Sequence, residues 1–162
     1  MFCASRTHAT CQYRLGVGFL PICNTINDLD VEIDNLLSFK THIHNMVSIA
    51  NRRFYLIRRC FLSKYIICLT KAFAVFVRPL LEYCSPFWCP SYKYLVDSIE
   101  SVQRRFIKYL PGFSSVSYSE RLKRFKFDTL ELRRLYIDHT LCFKICNGCV
   151  ALDKNDFFSL IL

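Results

Sequence analysis

The pattern of polar and apolar positions changes period near residue 38. Before it, Asp30-Val31-Glu32-Ile33-Asp34 alternates with period two, which predicts a strand with one exposed face. Gln12 to Leu20 contains Gly16 and Gly18 and runs into Pro21, the punctuation of a hairpin. After residue 38, Ile43, Met46, Val47, Ala50, Phe54, Ile57 and Phe61 recur at helical spacing, with Ser38 placed as N-cap. A second helix is predicted from Tyr65 to Leu81, kinked or ended by Pro79, which removes an amide donor and crowds the preceding turn. Cys84 to Pro90 reads as a rigid aromatic turn. A third helix, Tyr92 to Leu110, carries the stripe Leu95, Ile99, Val102, Phe106 and Tyr109 and stops at Pro111-Gly112. Ser117 with Glu120 has capping-box spacing and opens a short helix to Phe125. Asp128 with Glu131 repeats that spacing and opens the last helix, which ends near Asn147 with Gly148 as its C′ residue. The expected fold is mainly α: residues 1–36 form a small N-terminal β element, and residues 37–162 form a helical bundle.

Composition supports a packed core. Apolar residues make up 52% of the 162 and aromatics 15%, against 4 Gly and 5 Pro, which excludes a disordered chain. Ten cysteines would fit a secreted disulfide scaffold, but Met1 to His8 has no apolar run behind a basic start. The cysteines lie among apolar residues, so they are expected to act as small hydrophobes in a reducing compartment, nucleus or cytoplasm. The most apolar stretch, Tyr65 to Val77, is broken by Lys71 and falls short of the roughly 20 residues a membrane span needs. It reads as a buried helix, and no membrane partner is expected.

Charge then singles out the middle of the chain. Residues 35–126 hold sixteen Lys and Arg against four Asp and Glu, a net +12, while the segments before and after are net −2 and −1 within the total of +9. Concentrated positive charge points to a polyanion. Arg52 and Arg59 lie seven apart on the far side of the first helix, with Arg53 and Arg58 at its margins. Arg104, Arg105 and Lys108 crowd the last turns of the third helix, and Arg121, Lys123 and Arg124 follow in the short one. For any one of them a solvated face is as good a reading as a phosphate contact. The Arg104–Lys108 cluster favours contact.

Other chemistry is thinner. Cys142-x3-Cys146-x2-Cys149 with His139 could be metal ligands, and Cys84 and Cys89 could add two, but the spacing is irregular and no second Cys-x-x-Cys pairs with Cys146–Cys149. His139, Cys142 and Cys146 share a stripe with Leu132, Leu135 and Phe143, which favours core over zinc. Cys–His nucleophilic catalysis lacks any orienting third group. Arg78 and Glu82, four apart, are expected to form a helical ion pair, and Trp88 is expected to anchor the core rather than stack on a base.

Several blocks resemble one family in order and spacing. Val77-Arg78-Pro79-Leu80-Leu81-Glu82-Tyr83, followed by Trp88 and Pro90, is similar to a signature that follows the catalytic palm in jockey-like non-LTR (LINE) retrotransposon reverse transcriptases. Ile99-Glu100-Ser101-Val102-Gln103-Arg104-Arg105-Phe106 with Pro111-Gly112, then Tyr118-Ser119-Glu120-Arg121-Leu122 and Leu130-Glu131-Leu132-Arg133-Arg134-Leu135, resemble successive blocks of that region. Asp138, Phe143-Lys144-Ile145 and Asn147-Gly148 continue them. Upstream, Asp28-Leu29-Asp30-Val31-Glu32-Ile33-Asp34, Leu37-Ser38-Phe39 and His42 also match, with weaker likeness at Tyr13-Arg14-Leu15-Gly16. Asp30 stands where the family usually has Gly. In the family, mostly apolar residues stand at the cysteine positions of the last helix, with Leu at the His139 position.

The resemblance implies a thumb-like helical bundle, a fragment of an α+β polymerase, that holds the RNA/DNA template–primer duplex and packs on a palm of which residues 1–36 are only the end. The family's paired catalytic aspartates lie upstream, and no Asp-Asp pair occurs here. Nucleotide addition needs paired carboxylates to hold two divalent metals. The segment is therefore expected to be inactive alone and without a cofactor, the parent enzyme using Mg. Asp28, Asp30, Glu32 and Asp34 are given no metal role. Both ends, including Phe157-Phe158-Ser159-Leu160, are expected to be truncated. The competing readings are a membrane-surface or helix-partner protein using Tyr65–Val77, and a small zinc-binding module.

Overall fold

In the computed structural model, residues 14–16, 18–19, 23–61 and 65–158 are described. The expectations at Met1 to Tyr13, Pro21 and Ser159-Leu160, with Cys3 and Cys11, lie outside them.

Two short hairpins open the chain. Strand β1 (Arg14–Leu15) pairs antiparallel with β2 (Gly18–Phe19), and Gly16 turns with φ +61°. Strand β3 (Thr25–Asp28) pairs antiparallel with β4 (Val31–Asp34), Thr25 facing Asp34 and Asp28 facing Val31. The expected strand at residues 30–34 thus exists from Val31 onward, Asp30 belonging to the turn, and it has a partner the alternation did not predict. The two-residue loop Leu29–Asp30 has positive φ at both positions, 46° and 63°, as a primed hairpin turn requires. The aspartate at position 30 therefore sits where glycine would be unstrained, and Asp accepts this conformation better than most residues.

Asp34 then organises the chain after β4. Its Oδ1 accepts the amides of Leu36 (2.9 Å) and Ser38 (3.0 Å), and its Oδ2 accepts the Ser38 hydroxyl at 2.6 Å. This corrects the expected role of Ser38. The hydroxyl is committed to Asp34, and the residue before the first helix turn is Phe39, in the left-handed region with no side-chain cap. The chain divides here into two compact units, one ending at Ser38 and one starting at Phe39.

The second unit is helical throughout: α1 (Lys40–Cys60), α2 (Ile66–Phe76), α3 (Arg78–Glu82), α4 (Ser85–Trp88), α5 (Lys93–Tyr109), α6 (Tyr118–Phe125) and α7 (Leu130–Cys146). The α1 stripe buries Ile43, Met46, Val47, Ala50, Phe54 and Ile57 as the spacing predicts, and adds His42. The predicted second helix is two. It breaks at Val77, and Pro79 sits in the first turn of α3, where a missing amide costs nothing. The aromatic turn after it folds into one helical turn, α4, entered through Cys84 at φ 53°. Trp88 is fully buried, and its indole N–H donates to the Tyr83 carbonyl at 2.7 Å.

Helix α5 runs through the centre. Phe106 stacks on Phe73 of α2 at 4.2 Å between ring centroids and meets Phe54 of α1 edge-on at 5.9 Å. The opposite edge of α5 buries two polar residues, Glu100 and Gln103. The Glu100 carboxylate accepts the Tyr118 hydroxyl from α6, and its Oε2 accepts the Leu130 amide of α7 at 2.9 Å. Gln103 Nε2 donates to the Asp128 carbonyl at 2.9 Å and to the Tyr118 oxygen at 3.2 Å. Ser117 caps α6 by accepting the Glu120 amide at 3.4 Å, as expected. The α7 cap is Thr129, which accepts the Leu132 amide at 3.1 Å, and not Asp128, whose carbonyl serves Gln103. Gly148, at φ 66°, closes the end of α7.

Replacing Glu100 with Ala leaves the Tyr118 hydroxyl and an α7 amide unpaired, so a loss of about 3 kcal/mol is expected in urea unfolding. A loss under about 1 kcal/mol would mean the carboxylate does not tie the three helices. Burial, then the bond to Glu100, raises the Tyr118 hydroxyl pKa above its ordinary value. Its neutral form favours the fold, so that contribution is complete below about pH 10 and declines above it as the unfolded phenol ionises. The stability advantage of wild type over Tyr118→Phe should shrink above that pH, and a constant difference would refute the linkage.

Candidate nucleic-acid interface

Helix α1 contains no Asp or Glu, and its solvent side carries Arg52 and Arg59, both exposed. Its two marginal arginines are engaged by neighbouring helices. Arg53 Nη1 donates to the Phe76 carbonyl at the end of α2, at 3.1 Å. The Arg58 guanidinium lies over the Tyr109 ring of α5, 4.4 Å from its centroid, with Phe54 and Tyr55 at 5.8 and 5.7 Å.

Helix α5 is divided by its own periodicity. Its core side buries Leu95, Ile99, Val102, Phe106 and Ile107, and the turn-related positions Arg104, Arg105 and Lys108 are all exposed together. Arg105 Nη2 donates to the Ser101 hydroxyl at 3.0 Å. The Arg104 guanidinium lies over the Tyr118 ring of α6 at 5.1 Å. Helices α1, α5 and α6 are thus linked through two arginine–tyrosine contacts, with the Arg104–Lys108 cluster between them. Lys108 in the last turn also meets the negative end of the helix dipole.

The α6 candidates separate. Lys123 is exposed, and Arg124 is exposed but paired with Glu120 at 2.6 Å. Arg121 is only 6% exposed; its Nε donates to the Ser117 carbonyl at 3.4 Å. It is a core-facing residue and leaves the set of accessible cations. Its place in a basic run concealed that, because the amphipathic turn of α6 puts it beside Leu122.

The one ion-pair expectation changes. Glu82 pairs not with Arg78 but with Arg133 of α7, at 2.5 and 3.1 Å, the side chains being 15% and 33% exposed. The bond to Glu82 raises the Arg133 pKa, against a smaller effect of burial. Arg78 lies over the Phe127 ring at 4.5 Å, and its Nε has no hydrogen-bond partner. Burial, then repulsion from Arg133, lowers its pKa. Nothing local in the sequence marks a partner 51 residues away.

The expectation that the cysteines lie in the core is overturned. Cys60, Cys68, Cys84, Cys89, Cys142, Cys146 and Cys149 are free thiols on the surface, and Cys23 is exposed too. His139 is exposed as well, its Nδ1 2.7 Å from the Leu135 carbonyl. The buried face of α7 is carried instead by Leu130, Arg134 and Ile145, and Leu135, Tyr136 and Phe143 are largely exposed. Among the described residues, no three His, Cys, Asp or Glu are grouped to hold a metal ion. Burial raises the Cys89 thiol pKa, with Asp138 adding to the shift.

No protein-family model and no solved structure matches the chain. An uncharacterized protein of Caenorhabditis elegans is 28% identical over 117 residues. That match covers 70% of this chain and 59% of the worm protein, so the chain spans less than two thirds of the relative's length.

In native buffer, alkylation followed by mass spectrometry should label all eight of these cysteines, with Cys89 slowest because its thiolate is disfavoured. Protection of Cys142 and Cys146 until denaturant is added would restore the core reading. For the cross-helix pair, Arg133→Met should cost about 1–3 kcal/mol in urea unfolding, since it strands a largely buried carboxylate. Arg124→Met, at an exposed pair, should cost under about 1 kcal/mol.

Proposed function

We propose that the helical unit is the duplex-holding region of a non-LTR retrotransposon reverse transcriptase, binding the phosphates of a template–primer duplex without sequence preference. The observation that carries this reading is the shared exposure of Arg104, Arg105 and Lys108 on one face of α5, flanked by cations of α1 and α6. Such contacts give affinity and orientation without base information. The resemblance adds the polymerase context. Several of its residues have structural work here: Glu100, Gln103 and Tyr118 join three helices, Glu82 and Arg133 join two, and Trp88 fills the core. In this reading the catalytic carboxylates and their Mg belong to the palm, and the segment alone extends no primer.

A membrane-surface role has one supporting observation. Helix α2, expected to be buried, exposes Ile67 and Val75 with Lys71 along one side and Phe76 at its last turn. No helix among the described residues is long and apolar enough to cross a membrane. The zinc reading has no grouped ligands among those residues.

A salt titration decides between these. Binding to a labelled RNA–DNA hybrid should fall linearly on a log–log plot, with a slope of about −0.9 per phosphate contact for a B-form duplex. Joint replacement of Arg104, Arg105 and Lys108 by Gln should flatten the slope by about 0.9 for each phosphate no longer neutralised, with helicity intact. An unchanged slope removes this face from the interface. Binding to anionic vesicles that equals hybrid binding and vanishes in Phe76→Ser would favour the membrane role instead. The purified chain should incorporate no nucleotide with any divalent metal, and template-dependent incorporation that persists through further purification would overturn the fragment reading.

A further inference from the structure

We propose that Tyr109 and Tyr118 are positioning residues, ring shelves that hold Arg58 and Arg104 flat and present their edges to phosphate; this rests on the function proposed above. The geometry is specific. Arg58 reaches from α1 to a ring on α5 at 4.4 Å, and Arg104 reaches from α5 to a ring on α6 at 5.1 Å. A guanidinium stacked through its face keeps its N–H donors in the plane, free for the paired contacts that phosphate oxygens accept. An unsupported arginine must give up rotamer freedom when it binds.

Both shelves are themselves fixed. Tyr118 is held by its hydroxyl, which donates to buried Glu100 and accepts from fully buried Gln103. Tyr109 is half-buried and meets Phe54 of the core edge-on at 5.9 Å. The orientation of two surface cations is therefore set from beneath, by the packing of α1 on α5 and of α6 on α5. Arg105 and Lys108, between them on α5, have no aromatic partner among the described residues and supply charge without this constraint.

The test uses the whole chain, a fluorescein-labelled RNA–DNA hybrid, and ¹⁵N relaxation of the arginine Nε–H groups in the unbound protein. Tyr109→Leu should weaken binding about 3–10-fold, the worth of one such contact. The salt slope should stay unchanged, because no charge is lost. Arg58 Nε–H should become more mobile. Tyr109→Phe keeps the ring and should restore wild-type affinity and order. Arg58→Lys, a surface change that leaves the core alone, should weaken binding like Tyr109→Leu at constant slope, whereas Arg58→Gln should lower the slope by about 0.9. Arg104→Lys should behave as Arg58→Lys does. Equal loss in Tyr109→Phe and Tyr109→Leu, or Arg58 order unchanged in Tyr109→Leu, overturns the shelves alone. Absence of hybrid binding by wild type overturns the phosphate role together with the function it rests on.

Discussion

The helical unit turns on one buried carboxylate. Glu100 sits on the central helix, accepts a hydroxyl from α6 and the Leu130 amide at the start of α7, and so fixes two elements that the hydrophobic effect alone would leave free to slide. Apolar packing is non-directional. A carboxylate with two donors specifies both distance and angle, and its negative charge faces the positive end of the α7 dipole. Gln103, one turn further along, repeats the device on the Asp128 carbonyl and the Tyr118 oxygen. The polar edge of α5 thus does for α6 and α7 what its apolar edge, through Phe106, does for α1 and α2.

The surface chemistry follows from the same helix. Once one edge of α5 is committed to the aromatic core and another to the polar network, Arg104, Arg105 and Lys108 are left on the remaining face. Tyr118 belongs to both sides of this arrangement. Its hydroxyl is part of the interior, and its ring lies under a surface guanidinium.

Cross-helix partnering also redefines the arginines. Arg78 and Glu82 are ideally spaced for an i,i+4 pair, yet α3 has only five residues and lies against α7. Arg133 offers a bidentate fork to Glu82, and Arg78 turns to the Phe127 ring. A planar fork on a largely buried carboxylate outweighs an exposed helical pair, which contributes only a few tenths of a kcal/mol.

The sequence by itself determined the long helices, the capping of α6 by Ser117, the stop at Gly148, the buried stripe of α1 and the burial of Trp88. Each of these is written in local spacing, and local spacing is all that a 3.6-residue period or a cap requires. It also placed the exposed cluster of α5, because a stripe that predicts what is buried predicts what is left outside. Tertiary structure alone decided which polar groups meet. Ser38 bonds to Asp34 rather than capping α1, Thr129 rather than Asp128 caps α7, Glu82 chooses Arg133, Arg121 turns inward, and the cysteines of α7 face outward although they sit among apolar neighbours. In α7 both faces are rich in apolar residues, so periodicity cannot choose between them; Leu130, Arg134 and Ile145 turn inward, and Arg133 reaches Glu82 across to α3. Hydrogen bonds and ion pairs act between atoms a few ångströms apart in space, and a sequence orders residues only along the chain.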